Sequence, residues 1–249
     1  MNPLLDPSAK LVIAHRGDQA NIAENTLEAL VAAAELGADA VEFDVRMTRD
    51  GVPVLLHDAA LDRTTSGHGL LANYSLADVR TLDAAARDKP GRARTHVPTL
   101  EEVLDRMRDT PLVIEVKERE AVDATAALVR KFGALERVLM GSGITTVVER
   151  FKELGFVTCA SMVDALRLIP AALWGNDAPR SRYGALSLTP RYAGMPIPVL
   201  RMTSAAKRAG IPTQVWTVND PLEAQRYWAG GVAAILTDDP GLMLRVKRG

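Results

Sequence analysis

Short apolar runs alternate along the chain with segments whose apolar residues recur at helical spacing. Short runs bounded by polar or glycine positions are typical of buried strands, and recurrence at i, i+3 and i+4 is typical of amphipathic helices. We predict strands at residues 11–15, 40–45, 112–116, 138–140, 157–160, 185–188, 212–217 and 234–236. We predict helices at residues 26–36, 100–108, 121–132, 145–154, 163–174, 202–209 and 222–229.

Strands that alternate with helices predict an α/β protein with a parallel sheet. The closed (β/α)8 TIM barrel has eight such strands and runs to about 250 residues as one domain, close to the 249 residues here. A doubly wound open sheet is the alternative, but no G-x-G-x-x-G follows the first strand. We therefore expect one TIM-barrel domain over residues 1–249.

The alternation stops between residues 59 and 98, in a stretch rich in Gly, Asp, Arg and Thr. Connections far longer than about 15 residues are usually functional or disordered. We expect a small insertion after strand 2 that covers one end of the barrel, with a short helix at residues 75–82.

Reactive side chains follow the predicted strands where they end, which is the working face of a TIM barrel. In the second strand, alternation turns the valines and the phenylalanine toward the helices, so Glu42 and Asp44 should point into the barrel mouth. In the strand at 112–116, the same alternation directs Glu115 and Lys117 inward. Three carboxylates and one ammonium group are therefore expected in one cavity.

This combination suits metal-assisted chemistry at an anionic centre. Oxygen ligands without cysteine favour a hard divalent ion, Mg²⁺ or Ca²⁺, with Mn²⁺ as a further candidate. Arg16 and Lys117 suit phosphoryl oxygens, Arg by its fork and Lys as a point charge. His15 and His57 can divide the proton transfers, one as acid and one as base, and the assignment stays open.

Taken alone, each residue has a structural explanation. Glu115 and Lys117 could form an internal ion pair, and Asp44 could pair with Arg46 or Arg16. The histidines could be structural as well. Their joint placement in one mouth favours a catalytic site.

Other polar positions are better explained by structure. Asn25-Thr26-Leu27-Glu28 resembles a capping box, so Asn25 is expected to cap a helix rather than to bind a ligand. Trp216, by itself, fits the core, and His68 and His96 are assigned no role. The single Cys159 lies in an apolar run and is expected to be a buried, inert thiol.

Composition narrows the classes of protein to which the chain can belong. The formal net charge of −1 argues against a broad nucleic-acid surface. No apolar stretch approaches the roughly 20 residues that a membrane-spanning helix needs. The first ten residues lack a basic segment followed by an apolar one, so we expect a cytoplasmic protein.

Eight motifs, in this order over nearly the full chain, resemble the glycerophosphodiester phosphodiesterase family. They are His15-Arg16-Gly17, Glu24-Asn25-Thr26, Glu42-x-Asp44, Asp50-Gly51-Val52-Pro53-Val54 leading to His57-Asp58, Leu61-Asp62-Arg63-Thr64-Thr65, Pro98-Thr99-Leu100-Glu101-Glu102, Glu115-x-Lys117 and Trp216-Thr217-Val218-Asn219. A triplet such as His-Arg-Gly would be a weak signal alone, but the ordered set is specific.

The resemblance implies a metal-dependent TIM-barrel hydrolase that cleaves glycerophosphodiesters to an alcohol and sn-glycerol 3-phosphate. By motif position it implies that His15 and His57 are the acid/base pair, that Glu42, Asp44 and Glu115 bind the metal, and that Arg16, Lys117 and Trp216 contact substrate. A hypothesis that comes with it is that the glycerol hydroxyl attacks phosphorus first, giving a cyclic phosphate that water opens. Ala23 and Gly143 depart from the family pattern, which bears on substrate fit.

Two other functions are considered. One is a phospholipase D-like hydrolase of lysophospholipids, for which Leu70, Leu71, Tyr74 and Leu76 of the insertion are candidates for an apolar rim. The other is a non-catalytic phosphodiester-binding barrel, which the retained histidines and carboxylates disfavour.

Overall fold

The computed structural model describes residues 2–174 and 183–248. Its strands are β1 (Leu11–His15), β2 (Ala40–Met47), β3 (Pro53–Leu55), β4 (Leu112–Val116), β5 (Val138–Gly141), β6 (Leu186–Leu188), β7 (Arg191–Tyr192), β8 (Met195–Pro196), β9 (Thr213–Val215) and β10 (Ala234–Thr237). Its helices are α1 (Leu27–Leu36), α2 (Leu76–Val79), α3 (Leu100–Arg106), α4 (Val122–Lys131), α5 (Thr145–Glu153), α6 (Met162–Trp174), α7 (Val199–Arg208), α8 (Pro221–Ala229) and α9 (Pro240–Arg248).

The parallel strands follow the order β5-β4-β2-β1-β10-β9-β6. The gap between β5 and β6 is closed by two isolated parallel bridges, from Met140 to Thr158 and from Cys159 to Ala185. The sheet is therefore closed, and the predicted TIM barrel is confirmed. The prediction of a regular strand at 157–160 is wrong, because this segment pairs with each neighbouring segment of the sheet through one residue.

The barrel interior changes character along its axis. Its amino end is filled by apolar side chains, including Leu11, Ile13 and Leu139, with Leu4 from a 3₁₀ turn packed against them. Outside the barrel, two larger apolar clusters fill the space between strands and helices. The polar side chains inside the barrel, such as Glu42 and Glu115, lie at the opposite, carboxyl end of the strands.

The segment between β3 and α3 packs on a hairpin. β3 runs antiparallel to β2, with Val45 opposite Leu55. Within the following segment, Leu61, Leu71 and Val79 are buried in a small cluster with residues of the hairpin. The helix predicted at 75–82 is confirmed as α2, which a capping box of Ser75 and Asp78 begins. That residues 1–249 form a single domain stays a prediction.

In the part of the chain that the structure describes, every helix is too short or too polar to span a lipid bilayer.

Gly17, directly after β1, lies where the chain passes closest to α1. Its φ is +92°, and a Cβ there would lie 2.5 Å from the carbonyl carbon of Ala29. Gly17→Ala should therefore lower the free energy of unfolding by about 3 kcal/mol, through backbone strain and a clash that cannot relax cheaply. Urea unfolding of the purified variant measures this.

Gly69→Ala is the matched control, since Gly69 has φ +79° but nothing within 4 Å of the added Cβ. It should show only the left-handed penalty of about 1–2 kcal/mol. Equal losses in the two variants would show that the contact with Ala29 contributes nothing.

Candidate active site

The acidic cluster comes from neighbouring strands. Glu42 and Asp44 lie on β2, and Asp44 is directly opposite Glu115 of β4. Val41, Phe43 and Val45 are fully buried in the helix-facing cluster, so the predicted inward direction of the two acids is confirmed. One ligand atom from each of the three carboxylates lies within 4.8 Å of the others. Together they form a group that could hold a metal ion.

Two cations flank Asp44. The Nζ atom of Lys117 lies 2.9 Å from Asp44 Oδ1 and 2.9 Å from Glu115 Oε2. The Nε atom of Arg16 lies 3.0 Å from Asp44 Oδ2. Burial opposes ionisation of Asp44, but Lys117 and Arg16 outweigh it and lower the pKa of this carboxyl below its usual value. Of the two pairings considered for Asp44, the one with Arg16 is therefore present, and Arg46 pairs with Glu118 instead.

The negative charge of Glu42 is balanced much less well than that of Asp44. Its side chain is buried, and its carboxylate accepts a hydrogen bond of 3.1 Å from the backbone nitrogen of Arg16. Burial, and next the charge of Asp44, raise the pKa of Glu42 to about 8. A buried acid of this kind is stabilised in its charged form by a bound cation. The three carboxylates offer oxygen ligands, and one of them, Glu42, needs a cation to ionise, so the cluster suits a hard divalent ion.

His15 is held by a carboxylate that the sequence analysis missed. Its Nδ1 lies 2.7 Å from Oδ1 of Asp238, the residue after β10. Asn219 donates to the other oxygen of Asp238 at 2.7 Å. Burial lowers the pKa of His15, but the bond to Asp238 and the charge of Glu42 outweigh it, so the pKa lies above its usual value. Asp238 also follows a strand end, so the rule that found His15 would have found it.

His57 has the same arrangement at the end of the hairpin. Its Nδ1 lies 2.5 Å from Asp58 Oδ1, and Arg63 donates to Asp58 Oδ2 at 2.6 Å. Burial raises the pKa of Asp58, but the hydrogen bonds from Arg63 and His57 outweigh this effect and lower the pKa to about 2. Asp58 therefore stays ionised and accepts both hydrogen bonds. In both histidines a carboxylate therefore holds the proton on Nδ1, and in the neutral ring Nε2 carries the lone pair.

Asn25 corrects one expectation. The N-cap of α1 is Thr26, whose side chain accepts from the backbone of Ala29, so the predicted capping role of Asn25 is wrong. Asn25 adopts a positive φ of 55°, and its amide donates to Asp44 Oδ2 at 2.9 Å. Its oxygen accepts from the backbone nitrogen of Asp44 at 3.0 Å. Asn25 thus fixes the orientation of Asp44 from both sides.

Glu24 joins the insertion to the site. This buried carboxylate accepts hydrogen bonds from Arg16 at 3.0 Å and from Arg63 at 2.6 Å. Arg63 is the residue that also holds Asp58. The guanidinium of Arg16 and the carboxylate behind His57 are therefore oriented through one ion-pair network.

A cavity of about 400 Å³ opens at this end of the barrel. The predicted site residues that line it are His15, Arg16, Glu42, His57, Glu115, Lys117 and Trp216. Asp44 lies beneath them and is fully buried. Cys159 is also in the lining, and burial raises the pKa of its thiol to about 12, in keeping with an inert group.

The apolar rim predicted in the insertion is wrong. Leu71 is buried in the cluster of the insertion, and Tyr74 and Leu76 pack against it. Leu70 is exposed, but neither it nor the other three lines the cavity. Leu71, Tyr74 and Leu76 instead help to hold the insertion on the hairpin.

The site combines two carboxylate-paired histidines with an acidic cluster and two cations at the mouth of a TIM barrel. These groups can carry out the hydrolysis of a phosphoric ester. The model of the glycerophosphoryl diester phosphodiesterase family matches residues 15–242. The chain belongs to this family and is a phosphodiester hydrolase.

Similar proteins and similar solved structures are also phosphodiesterases. The chain is 31% identical to a glycerophosphodiester phosphodiesterase of Caldanaerobacter subterraneus subsp. tengcongensis, over 96% of this chain and 98% of that protein. It resembles an Oleispira antarctica phosphodiesterase solved in complex with the product sn-glycerol-3-phosphate, with a TM-score of 0.81, 25% identity, and coverage of 96% of this chain and 97% of that one. A glycerophosphodiester phosphodiesterase of Agrobacterium tumefaciens matches with a TM-score of 0.77 and 26% identity, over 95% of this chain and 99% of that one.

The hydrogen bond between His15 and Asp238 leads to a prediction. Asp238→Asn should lower kcat by about 10- to 100-fold, because an amide can no longer hold the proton on Nδ1 reliably. Since Asp238 raises the pKa of His15, the limb of the pH profile that His15 controls should move to lower pH. Profiles of kcat/KM against pH for the two proteins measure both effects.

Asn21→Ala is the control, because Asn21 is exposed and its side chain donates to Asp18, and this variant should leave the profile unchanged. An unshifted limb in Asp238→Asn would contradict the role given to this carboxylate.

Proposed function

We propose that the chain hydrolyses glycerophosphodiesters to an alcohol and sn-glycerol 3-phosphate, with His15 and His57 as the acid/base pair. Family membership supports the reaction class, and the product held by the Oleispira relative supports the product. The observation that carries the site assignment is that both carboxylate-paired histidines line one cavity with Glu42 and Glu115.

We propose that Glu42, Asp44 and Glu115 hold one divalent ion, Mg²⁺ or Ca²⁺, with Mn²⁺ as a further candidate. Their oxygen donors and the raised pKa of Glu42 support this. When bound, such an ion polarises a phosphoryl oxygen and offsets negative charge that develops on it. The ion pairs of Asp44 with Arg16 and Lys117 then hold that ligand in place.

The chain's own residues supply the remaining steps. One histidine takes the proton of the attacking hydroxyl at Nε2, and the other gives a proton to the leaving alkoxide from Nε2. Lys117 forms ion pairs with Asp44 and Glu115 at 2.9 Å each and lines the cavity, where its ammonium group can also contact a phosphate oxygen. Arg16, oriented by Glu24 and Asp44, presents its guanidinium at the cavity.

The test is a panel of glycerophosphodiesters assayed with Mg²⁺, Ca²⁺ and Mn²⁺ after removal of bound metal. We expect release of glycerol 3-phosphate that needs a divalent ion and that excess chelator abolishes. Full activity after exhaustive chelation would contradict the metal site. Ligand binding without turnover under every metal would instead support a non-catalytic barrel.

A further inference from the structure

His57 lies where the hairpin leaves the sheet. β3 ends at Leu55, and the backbone nitrogen of Leu56 still donates to the carbonyl oxygen of Asp44 at 3.2 Å. His57 is the next residue, in the loop between β3 and the insertion. An acid or a base works only when it is held within about 0.5 Å of its productive position. The residues that fix this loop therefore bear on catalysis.

Arg46 holds the backbone of His57. The Nε atom of Arg46 donates to the carbonyl oxygen of His57 at 2.8 Å. Arg46 lies on β2 two residues after Asp44, so strand alternation directs its side chain to the same face as the acidic cluster. Only 15% of this side chain is exposed, and it is not among the residues that line the cavity. Arg46 thus supports His57 from outside the space that the substrate enters.

Glu118 orients the guanidinium of Arg46. Its Oε2 accepts from Arg46 Nη1 at 3.0 Å, and its Oε1 accepts from the backbone nitrogen of Met47 at 2.6 Å. Both oxygens of this carboxylate are therefore bonded to β2. Glu118 directly follows Lys117, so the ion pair connects the end of β4 with the loop that carries His57.

The contact with Arg46 differs in kind from the contact with Asp58. Asp58 bonds to the imidazole and determines which ring nitrogen carries the proton. It is the next residue in the chain, however, so it moves together with His57. Arg63, which holds Asp58, belongs to the insertion, and 44% of its side chain is exposed. Arg46 belongs to the sheet, and its hydrogen bond ties the loop to a rigid strand.

We propose that Arg46 is a positioning residue for the hydrolysis, which acts by anchoring the backbone of His57 to β2; this rests on the proposed function, in which His57 transfers a proton. Its guanidinium donates from two points of one rigid plane, to a carbonyl and to a carboxylate. A lysine keeps the charge, but its single compact ammonium group cannot reproduce both bonds at once. Arg46→Lys should therefore keep the ion pair with Glu118 and release His57.

The first measurement separates kcat from KM on a glycerophosphodiester at saturating metal. Arg46→Lys should lower kcat by about tenfold, because a displacement of about 1 Å at a catalytic group can cost up to about 100-fold. KM and the affinity for Mg²⁺ should stay within about twofold of the wild type, since Arg46 is bonded to Glu118 and His57 rather than to the proposed metal ligands.

Arg49→Lys is the matched control on the same hairpin. Arg49 also donates to a backbone carbonyl, that of Asn73 at 2.8 Å, and it lies 3.5 Å from a carboxylate oxygen of Asp78. Its side chain is 61% exposed and does not line the cavity. Arg49→Lys should keep the wild-type kcat.

The deciding measurement combines Arg46→Lys with His57→Ala. Once the imidazole is gone, Arg46 has no ring left to position, so Arg46→Lys should change the residual kcat of His57→Ala by less than about twofold. A merely structural role would disturb the acidic cluster, Arg16 and Lys117 as well, and would lower kcat by the same factor in both backgrounds. Equal losses in the two backgrounds would therefore overturn the inference.

Glu118→Gln provides a second variant that keeps the arginine, in case Arg46→Lys does not fold. Its amide oxygen can still accept a hydrogen bond, but the charge that orients Arg46 is lost. It should lower kcat alone and have no further effect on His57→Ala. Wild-type kcat in both Glu118→Gln and Arg46→Lys overturns this inference and leaves the proposed function standing. Wild-type kcat in His57→Ala removes the proposed role of His57, and this inference with it.

Discussion

His57→Ala should lower kcat on a glycerophosphodiester by about 10²–10⁴-fold, the usual contribution of a positioned acid or base. The side chain lines the cavity, and Asp58 holds its Nδ1, so the variant removes the proton transfer at Nε2. KM should change much less, because the imidazole acts mainly in the transition state. Steady-state kinetics at saturating metal measure both constants.

His68→Ala is the matched control for this prediction. His68 also places its Nδ1 near a carboxylate, Asp62, but it lies in the insertion with its side chain 76% exposed and does not line the cavity. It should keep wild-type kcat. If His57→Ala folded normally and stayed within a few-fold of the wild-type kcat, His57 would not be an acid or a base.

The parts of the fold that depend on local sequence could be predicted. The alternation in β2 fixes which side of the strand Glu42 and Asp44 occupy, and this needs no knowledge of the neighbouring strands. The segment at 157–160 is different, since pairing by one residue on each side depends on how β5 and β6 are placed. α9 was not predicted, because its last turn carries Arg245, Lys247 and Arg248 and resembles a polar tail. Its contacts with β1 and α1 are visible only in the tertiary structure.

The same distinction applies to the site. Glu42, Asp44 and Glu115 follow from strand alternation. The pairing of Asp44 required the tertiary structure, because the sequence left both Arg16 and Arg46 as possible partners. Asn25 precedes a threonine at a helix start, and either residue satisfies the capping pattern. Only the left-handed backbone at Asn25 turns its amide toward Asp44.

Glu42→Gln should weaken the binding of the divalent ion by at least about 100-fold, since changes to residues that only support metal ligands already cost 10- to 100-fold. An amide keeps the shape of the side chain but cannot carry the negative charge that the cation needs. Activity at limiting metal should fall in parallel and recover partly at high metal concentration. Titration of the metal-free protein with Mg²⁺, Ca²⁺ and Mn²⁺ measures the affinity.

The stability of the metal-free protein should change in the opposite direction. The pKa of Glu42 is raised to about 8 in the folded protein, so its unfavourable ionisation lowers stability as the pH rises from the usual value of 4.5 toward 8. Glu42→Gln removes this penalty, and the metal-free variant should need more urea to unfold than the metal-free wild type at pH 8. Glu101→Gln, an exposed change next to Lys131, should alter neither property. Wild-type metal affinity in Glu42→Gln would show that Glu42 is not a ligand, whereas weak affinity with reduced stability would point to a damaged fold.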